Sequence, residues 1–449
     1  MNVISRWVNA WRRRGMTSLI ARFTGCADRE AKLAAWSFAY FFFLLSGYYI
    51  LRPLRDEMGV RGGIDHIQWL FTGTFLLSLA AVPAYAWLVS RLPRRKFLPV
   101  VYHFFTLNLI LFWITLLSGF NPEWTARFFF MWVSVFNMFV VSVFWSFMAD
   151  IFNERDAKKL FGFIAAGGTA GALAGPSVTL FSLAWMSPDH LLLISALLLQ
   201  CAVLCIRKLD LLAPVSPLKT TASAKPRAGL GTFFSGIVSV FTSRYLSTIV
   251  LYIFLLTAAA TCLYYISLDV VGARIADPRQ RTALFASMDL AVNVITLFLQ
   301  AFATGRLLTG KGVTAGLALL PLSLAAGFVV MSAWPIIPIL AGMVILRRSL
   351  NYSITGPTRE VLFTIVDENQ KYKSKNFIDT VIYRGGDAFS AWSITGMRSL
   401  FGLPVQGLAA VGAAVSVLWL FSAILTGRMY RGFRRSEPLK AEGVRDETP

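Results

Sequence analysis

Apolar residues run through this chain in long blocks separated by short polar turns. A block of about 20 such residues is what a helix needs to cross a hydrocarbon layer ~30 Å thick. Twelve blocks meet that requirement, near residues 33–54, 67–90, 97–118, 126–149, 160–183, 189–207, 245–269, 283–307, 314–333, 335–363, 376–401 and 405–427. The pattern predicts an all-α polytopic membrane protein of about 12 transmembrane helices in two six-helix halves. Residues 32–207 form the first bundle and residues 245–427 the second. Residues 208–244 between them are polar, basic and punctuated by Pro214, Pro217 and Pro226, the composition of a cytoplasmic linker. Residues 428–449 read as a basic cytoplasmic tail, disordered past Ser436. Before the first block, residues 1–31 place Ile4, Trp7, Val8 and Trp11 at helical spacing opposite Arg6, Arg12 and Arg13. That is an amphipathic helix lying on an anionic leaflet, with a targeting peptide as the rival reading.

Composition sharpens this picture. Hydrophobic residues make up 56% of the 449 positions and the mean hydropathy is +0.62, more apolar surface than a soluble domain needs. The net charge of +20 could suggest a nucleic-acid partner, but the Lys and Arg fall in alternate loops. The positive-inside rule accounts for that distribution and puts both termini in the cytoplasm. The partner this distribution points to is membrane lipid, with no nucleic acid polymer. A small-molecule anionic substrate is expected from the surplus of Arg347, Arg348 and Arg384 over Asp387 near mid-membrane. Nothing in the sequence specifies an oligomeric state. Cys26, Cys201, Cys205 and Cys262 lie in or beside apolar blocks and His66, His103 and His190 are scattered, so no disulfide framework, metal site or cofactor is expected. No Ser-His-Asp order, HExxH, CxxC or P-loop occurs, and the chain does not read as an enzyme.

An internal repeat supports the two halves. Ser90-Arg91-Leu92 ahead of Arg94-Arg95-Lys96 returns as Gly305-Arg306-Leu307 ahead of Lys311, about 215 residues on. Asp150, Ala157-Lys158-Lys159 and Gly167-Gly168 return as Asp367, Lys373-Ser374-Lys375 and Gly385-Gly386. The basic turns stand where the major facilitator superfamily has its loop motif, which is only partly matched. Gly167, Gly171 and Gly175 recur every four residues, the spacing of close helix packing.

Charged and amide groups inside the apolar blocks are the candidate chemistry, because a charge at bilayer depth costs several kcal/mol unless it is paired or wetted. Arg347 and Arg348 fall near mid-span, with Asn351 and Tyr352 four positions after each. Arg384 and Asp387 lie one turn apart in the next block. Guanidinium groups take carboxylate or phosphate bidentately, so Arg347, Arg348, Asn351, Arg384 and Asp387, with Asn108 and Asn137 from the first half, are the expected substrate-binding set. An internal ion pair such as Arg348 with Asp387 is the plain alternative. Arg52, Arg55 and Asp56, with Glu57, end the first block as a gateway or a solvated end. Asp289 could carry a proton or cation, or bond between helices. Asp150 and Lys158 in the first half, and Arg359, Glu360 and Asp379 in the second, are placed as gate or coupling residues.

Three stretches resemble the nucleotide-exchange carriers, the ATP/ADP translocase family. Tyr49-Ile-Leu-Arg52-Pro-Leu-Arg55-Asp56 is similar to its ILR…KD segment. Phe144-Trp145-Ser-Phe147-Met-Ala-Asp150, with Asp156 through Phe161, is similar to its FW-F-N…EAKRFY segment. Pro357-Thr-Arg359-Glu360, then Asp367, Lys371, Lys373, Lys375, Ile378-Asp379 and Gly386, is similar to its D-P-x-K-E…K-x-K-G-K…ID…GKSGG segment. That resemblance implies a secondary active transporter working by alternating access and related to nucleotide exchange. Together with the loop charge it implies a bacterial inner membrane, with an organelle envelope as the alternative. The family's Lys in GKSGG falls on Asp387 here, a Lys of its second span on Phe71, and the acid of its seventh span on Tyr264 or Tyr265. Basic groups hold a triphosphate, so the resemblance implies the lineage of the carrier rather than its solute. Two alternatives stay open: a proton-coupled transporter of another solute, with Asp289 or Glu360 carrying the proton, and a non-transporting scaffold or sensor on a carrier fold.

Overall fold

A computed structural model describes residues 28–91, 94–212, 242–367, 371, 374–375 and 377–443. The amphipathic segment before residue 28 and the body of the linker lie outside the described residues. Six helices come from the first half: α1 (Asp28–Arg61), α2 (Ile67–Arg91), α3 (Arg94–Ser118), α4 (Pro122–Ile151), α5 (Glu154–Ser182) and α6 (Leu191–Leu212). The second half supplies α7 (Arg244–Arg274), α8 (Pro278–Gly310), α9 (Gly312–Ala333), α10 (residues 337–362), α11 (residues 378–401) and α12 (Val405–Gly443). Nine of these, among the described residues, are long and apolar enough to cross a membrane. In α10 and α11, Arg347, Arg348 and Asn351, and Arg384 and Asp387, dilute the apolar run. The architecture is that of a multi-pass, all-α membrane protein.

Helix ends differ from the expected blocks where polar residues keep helical geometry. α8 starts at Pro278, where proline's missing N–H costs nothing at a first turn, and so takes in Arg281. The tail expected to be disordered past Ser436 is helical as far as Gly443, in keeping with the good helix formers Leu439, Lys440, Ala441 and Glu442.

The chain resolves into two compact units. The described residues within Met1–Met58, Ala81–Ala224 and Pro278–Leu290 make the first; those within Gly59–Ala80, Lys225–Asp277 and Ala291–Pro449 make the second. Each unit thus includes the opening stretch of a helix from the other half of the sequence, α8 in one case and α2 in the other.

The first unit has an aromatic core. Tyr40 is fully buried, hydrogen-bonds the Tyr102 hydroxyl and packs edge-on to Phe144. Phe41 stacks on Phe144 with ring centroids 4.1 Å apart. α5 lies close against α1: a Cβ at Gly167 or Gly171 would come within 2.5 Å of the Phe38 or Phe42 carbonyl, and one at Gly175 within 2.7 Å of Tyr49 Cβ. Glycine is required there because backbone meets backbone. In the second unit Tyr252 donates to the Leu317 carbonyl and packs against Trp419. Gly386 of α11 faces Thr257 of α7, as Gly168 of α5 faces Phe41 of α1. The offsets, 218 and 216 residues, are those of the sequence repeat. The opening of α2 is held in this unit by neutral contacts: Trp392 Nε1 donates to Thr72 Oγ1 and Thr395 Oγ1 to Gln68 Oε1.

Candidate functional site

Within the second unit a cavity of about 420 Å³ is lined by Asn351, Tyr352, Gly356, Arg359, Asp379 and Tyr383. That volume suits a small molecule. Its walls come from α10 and α11, and both helices widen into a π turn where they border it, Asn351–Thr355 in one and Ile378–Ile382 in the other. The Gly356 N–H bonds to the Asn351 carbonyl and the Tyr383 N–H to the Ile378 carbonyl, each spanning five residues. Such turns are rare and gather at functional sites, since an extra residue per turn re-aims the side chains that follow.

The α10 turn has a traceable cause. Pro357 lacks an N–H, so in α register the Ser353 carbonyl loses its donor, and in π register the Tyr352 carbonyl does. Both are met from α8. Thr304 Oγ1 lies 2.9 Å from the Ser353 carbonyl and Gln300 Nε2 lies 3.3 Å from the Tyr352 carbonyl. Those two side chains begin and end a third π turn, Gln300–Thr304. The disturbance at Pro357 is therefore met by side chains of a neighbouring helix.

The charged groups of the cavity come from separate helices. The Arg359 guanidinium lies over the Tyr383 ring, 5.9 Å from its centroid. Among the described residues Arg359 and Asp379 form no hydrogen bond or salt bridge, with each other or with other side chains. Asp379 feels the charges of Arg359, Lys375 and Glu360, and the last two are already joined as an ion pair. The Tyr383 hydroxyl feels Asp387, Arg359 and Arg347, which places the expected binding residues Arg347 and Asp387 close behind the cavity wall. Arg348 is buried, Arg347 and Arg384 are half-buried, and Asp387 accepts from Thr261 Oγ1 at 3.1 Å. Asn351 keeps its α-helical bond to the Arg347 carbonyl, so those two share a face.

Other expected site residues belong to the first unit. Asn108 donates to the Phe104 carbonyl of its own helix and Asn137 is half-buried in α4. Asp150 is half-buried at the end of α4 and Lys158 is exposed on α5. α1 and the opening of α8 are joined by ion pairs: Glu57, 1% exposed, with Arg281 at 2.8 Å, and Asp289, equally buried, with Arg52 at 3.8 Å. Arg55 pairs with Asp56 at 2.7 Å and lies over the Phe130 ring. Arg281 was not expected, because a basic residue three positions after Pro278 resembles a loop charge. The sequence carried no separate signal for it, since Asp56 and Glu57 stand at the end of the first block beside Arg52 and Arg55, which match them in number. Tyr383 and Gly356 were likewise unexpected cavity residues.

Comparison with protein-family models gives no match, and none of the curated proteins matches the chain. Solved structures do match. A bacterial homologue of the iron transporter ferroportin, in its inward-facing state, superposes with a TM-score of 0.65 at 12% identity over 88% of this chain and 98% of the other. A mutant of the nucleoside transporter NupG gives 0.59 at 14% identity, over 89% and 99%. The human organic anion transporter MFSD10 gives 0.51 at 15% identity, over 88% and 99%. At these identities the likeness defines the fold: this chain has the twelve-helix fold of the major facilitator transporters.

Proposed function

We propose that the protein is a secondary active transporter that moves a small solute with an anionic group by alternating access, in a bacterial inner membrane with both termini cytoplasmic. The observation that carries this reading is Arg359, a cation without a hydrogen-bonding side-chain partner among the described residues, facing a cavity sized for a small molecule. A guanidinium held over an aromatic ring offers its edge to carboxylate or phosphate. Behind Tyr383 the charges of Arg347 and Asp387 oppose each other, which leaves Arg359 as the cation on the cavity wall. Transport by structural relatives of a nucleoside in one case and organic anions in another supports a solute of this size and charge. The resemblance of Pro357 through Gly386 to nucleotide exchangers makes phosphorylated metabolites, nucleotides first, the leading class. Asp289 beside Arg52 favours proton coupling as the second reading, with the carboxyl as carrier.

The test is uptake by purified protein in liposomes, using labelled AMP, ADP, ATP and inorganic phosphate. Uptake that needs an internal counter-solute supports exchange, and uptake that needs a proton gradient supports the second reading. If no anion is taken up under either condition and none is bound, the transporter reading fails.

A further inference from the structure

The cavity presents two opposite charges that do not join. Arg359 stands on α10 above Tyr383, and Asp379 stands on the π turn of α11. Both line the same space and, among the described residues, neither has a side chain joined to it by a hydrogen bond or salt bridge. Lys375, whose charge also reaches Asp379, is taken by Glu360. Opposite charges lining one space attract each other unless their supports hold them apart and solvent or a ligand answers them. Here the supports are visible. Arg359 is two residues beyond Pro357, in a helix whose register is fixed by the Thr304 and Gln300 contacts. Asp379 sits in a widened turn closed by the bond from Tyr383 to Ile378.

We propose that Asp379 is a specificity-determining residue: the solute carries, besides its anionic group for Arg359, an N–H donor group for Asp379, and anions without such a group are rejected. The proposal rests on the reading of the cavity as the solute site and narrows it. A plain anion drawn to Arg359 would face the Asp379 carboxylate as a like charge, which is discrimination by repulsion. A solute with an ammonium, or with an amino group on a base edge, converts the repulsion into a charge-assisted hydrogen bond. Asn351 and the Tyr352 and Tyr383 rings supply the neutral remainder of the wall.

The experiment measures binding to purified full-length protein by calorimetry with two matched pairs of probes. Propyl phosphate and 3-aminopropyl phosphate differ only by an ammonium. Ribose 5-phosphate and AMP differ by a base carrying an amino group. The wild type is expected to bind the N–H-bearing member of at least one pair about tenfold or more tightly, and the pair that discriminates identifies ammonium or base. Asp379→Asn is expected to erase the difference chiefly by improving the plain anion, a gain that misfolding cannot produce. Arg359→Gln is expected to weaken both members of a pair together. Equal binding of both members of both pairs by the wild type, or equal weakening of both by Asp379→Asn, overturns the proposal. Anion uptake that still needs Arg359 would then leave the transporter reading standing.

Discussion

α4–α5 and α10–α11 descend from the same unit of the repeat, and they have been treated in opposite ways. α4 runs for 30 residues as unbroken α-helix, and α5 starts with Asn153 capping it through the Asp156 N–H at 2.9 Å. α5 then presses its glycines against the backbone of α1. α10 and α11 both open into π turns and enclose a cavity between them. The regular pair is joined at a capped turn through Asn153 and commits its small residues to packing. The irregular pair brings Arg359 and Asp379 to the wall of one cavity. On the proposed reading one copy serves as framework and the other is bent toward the site, and the carbonyls freed by the bend are met locally by Thr304 and Gln300.

If that division is right, the largest effect comes from attacking the framework. Gly171→Leu drives a side chain into the Phe42 carbonyl and should cost about 3 kcal/mol or more, seen as loss of folded protein in detergent by thermal unfolding. A mutant that folds normally would show that the α1–α5 contact is looser than described. Next is Arg359→Gln, which should leave thermal unfolding unchanged and lower anion uptake about 100-fold, in line with losing a charged hydrogen-bond donor. Equal loss of stability would mark Arg359 as structural.

Thr304→Val tests how the bend is sustained. It strands the Ser353 carbonyl, so it should destabilise by about 1–2 kcal/mol and weaken solute binding by realigning Asn351 and Tyr352. Destabilisation without any change in binding would detach the π turn from the site. The smallest effect belongs to Asn153→Ala. Removal of that cap should cost at most about 1 kcal/mol and leave the affinity for solute where it was. A loss of affinity would contradict the assignment of α5 to the framework.

Much of the fold was legible because hydrocarbon imposes a single local rule. Each of the twelve apolar runs coincides with a helix among the described residues, with ends displaced mainly where Pro278 or a charged turn kept helical geometry. The exchange of helix openings between compact units was not legible. The contacts that hold them, Arg281 with Glu57 and Trp392 with Thr72, join residues 224 and 320 positions apart and leave no periodic trace. The site was legible in its ingredients. Arg359 and Asp379 stood out as charges at the edges of apolar runs, yet were expected at a gate, because their placement beside one cavity depends on two π turns. Pro357 was the visible half of that signal. The other half, a threonine and a glutamine on another helix, had the appearance of ordinary polar residues in a span.

The central claim is that solute occupies the space between α10 and α11, and thiol protection tests it directly. Tyr352→Cys and, separately, Asn137→Cys would be placed in a background with the four native cysteines replaced, and reacted with a polar methanethiosulfonate in the presence and absence of the solute that liposome uptake identifies. The account predicts that bound solute slows labelling at position 352 and that Arg359→Gln abolishes the protection. Unchanged labelling at 352, with protection at 137 instead, would contradict it.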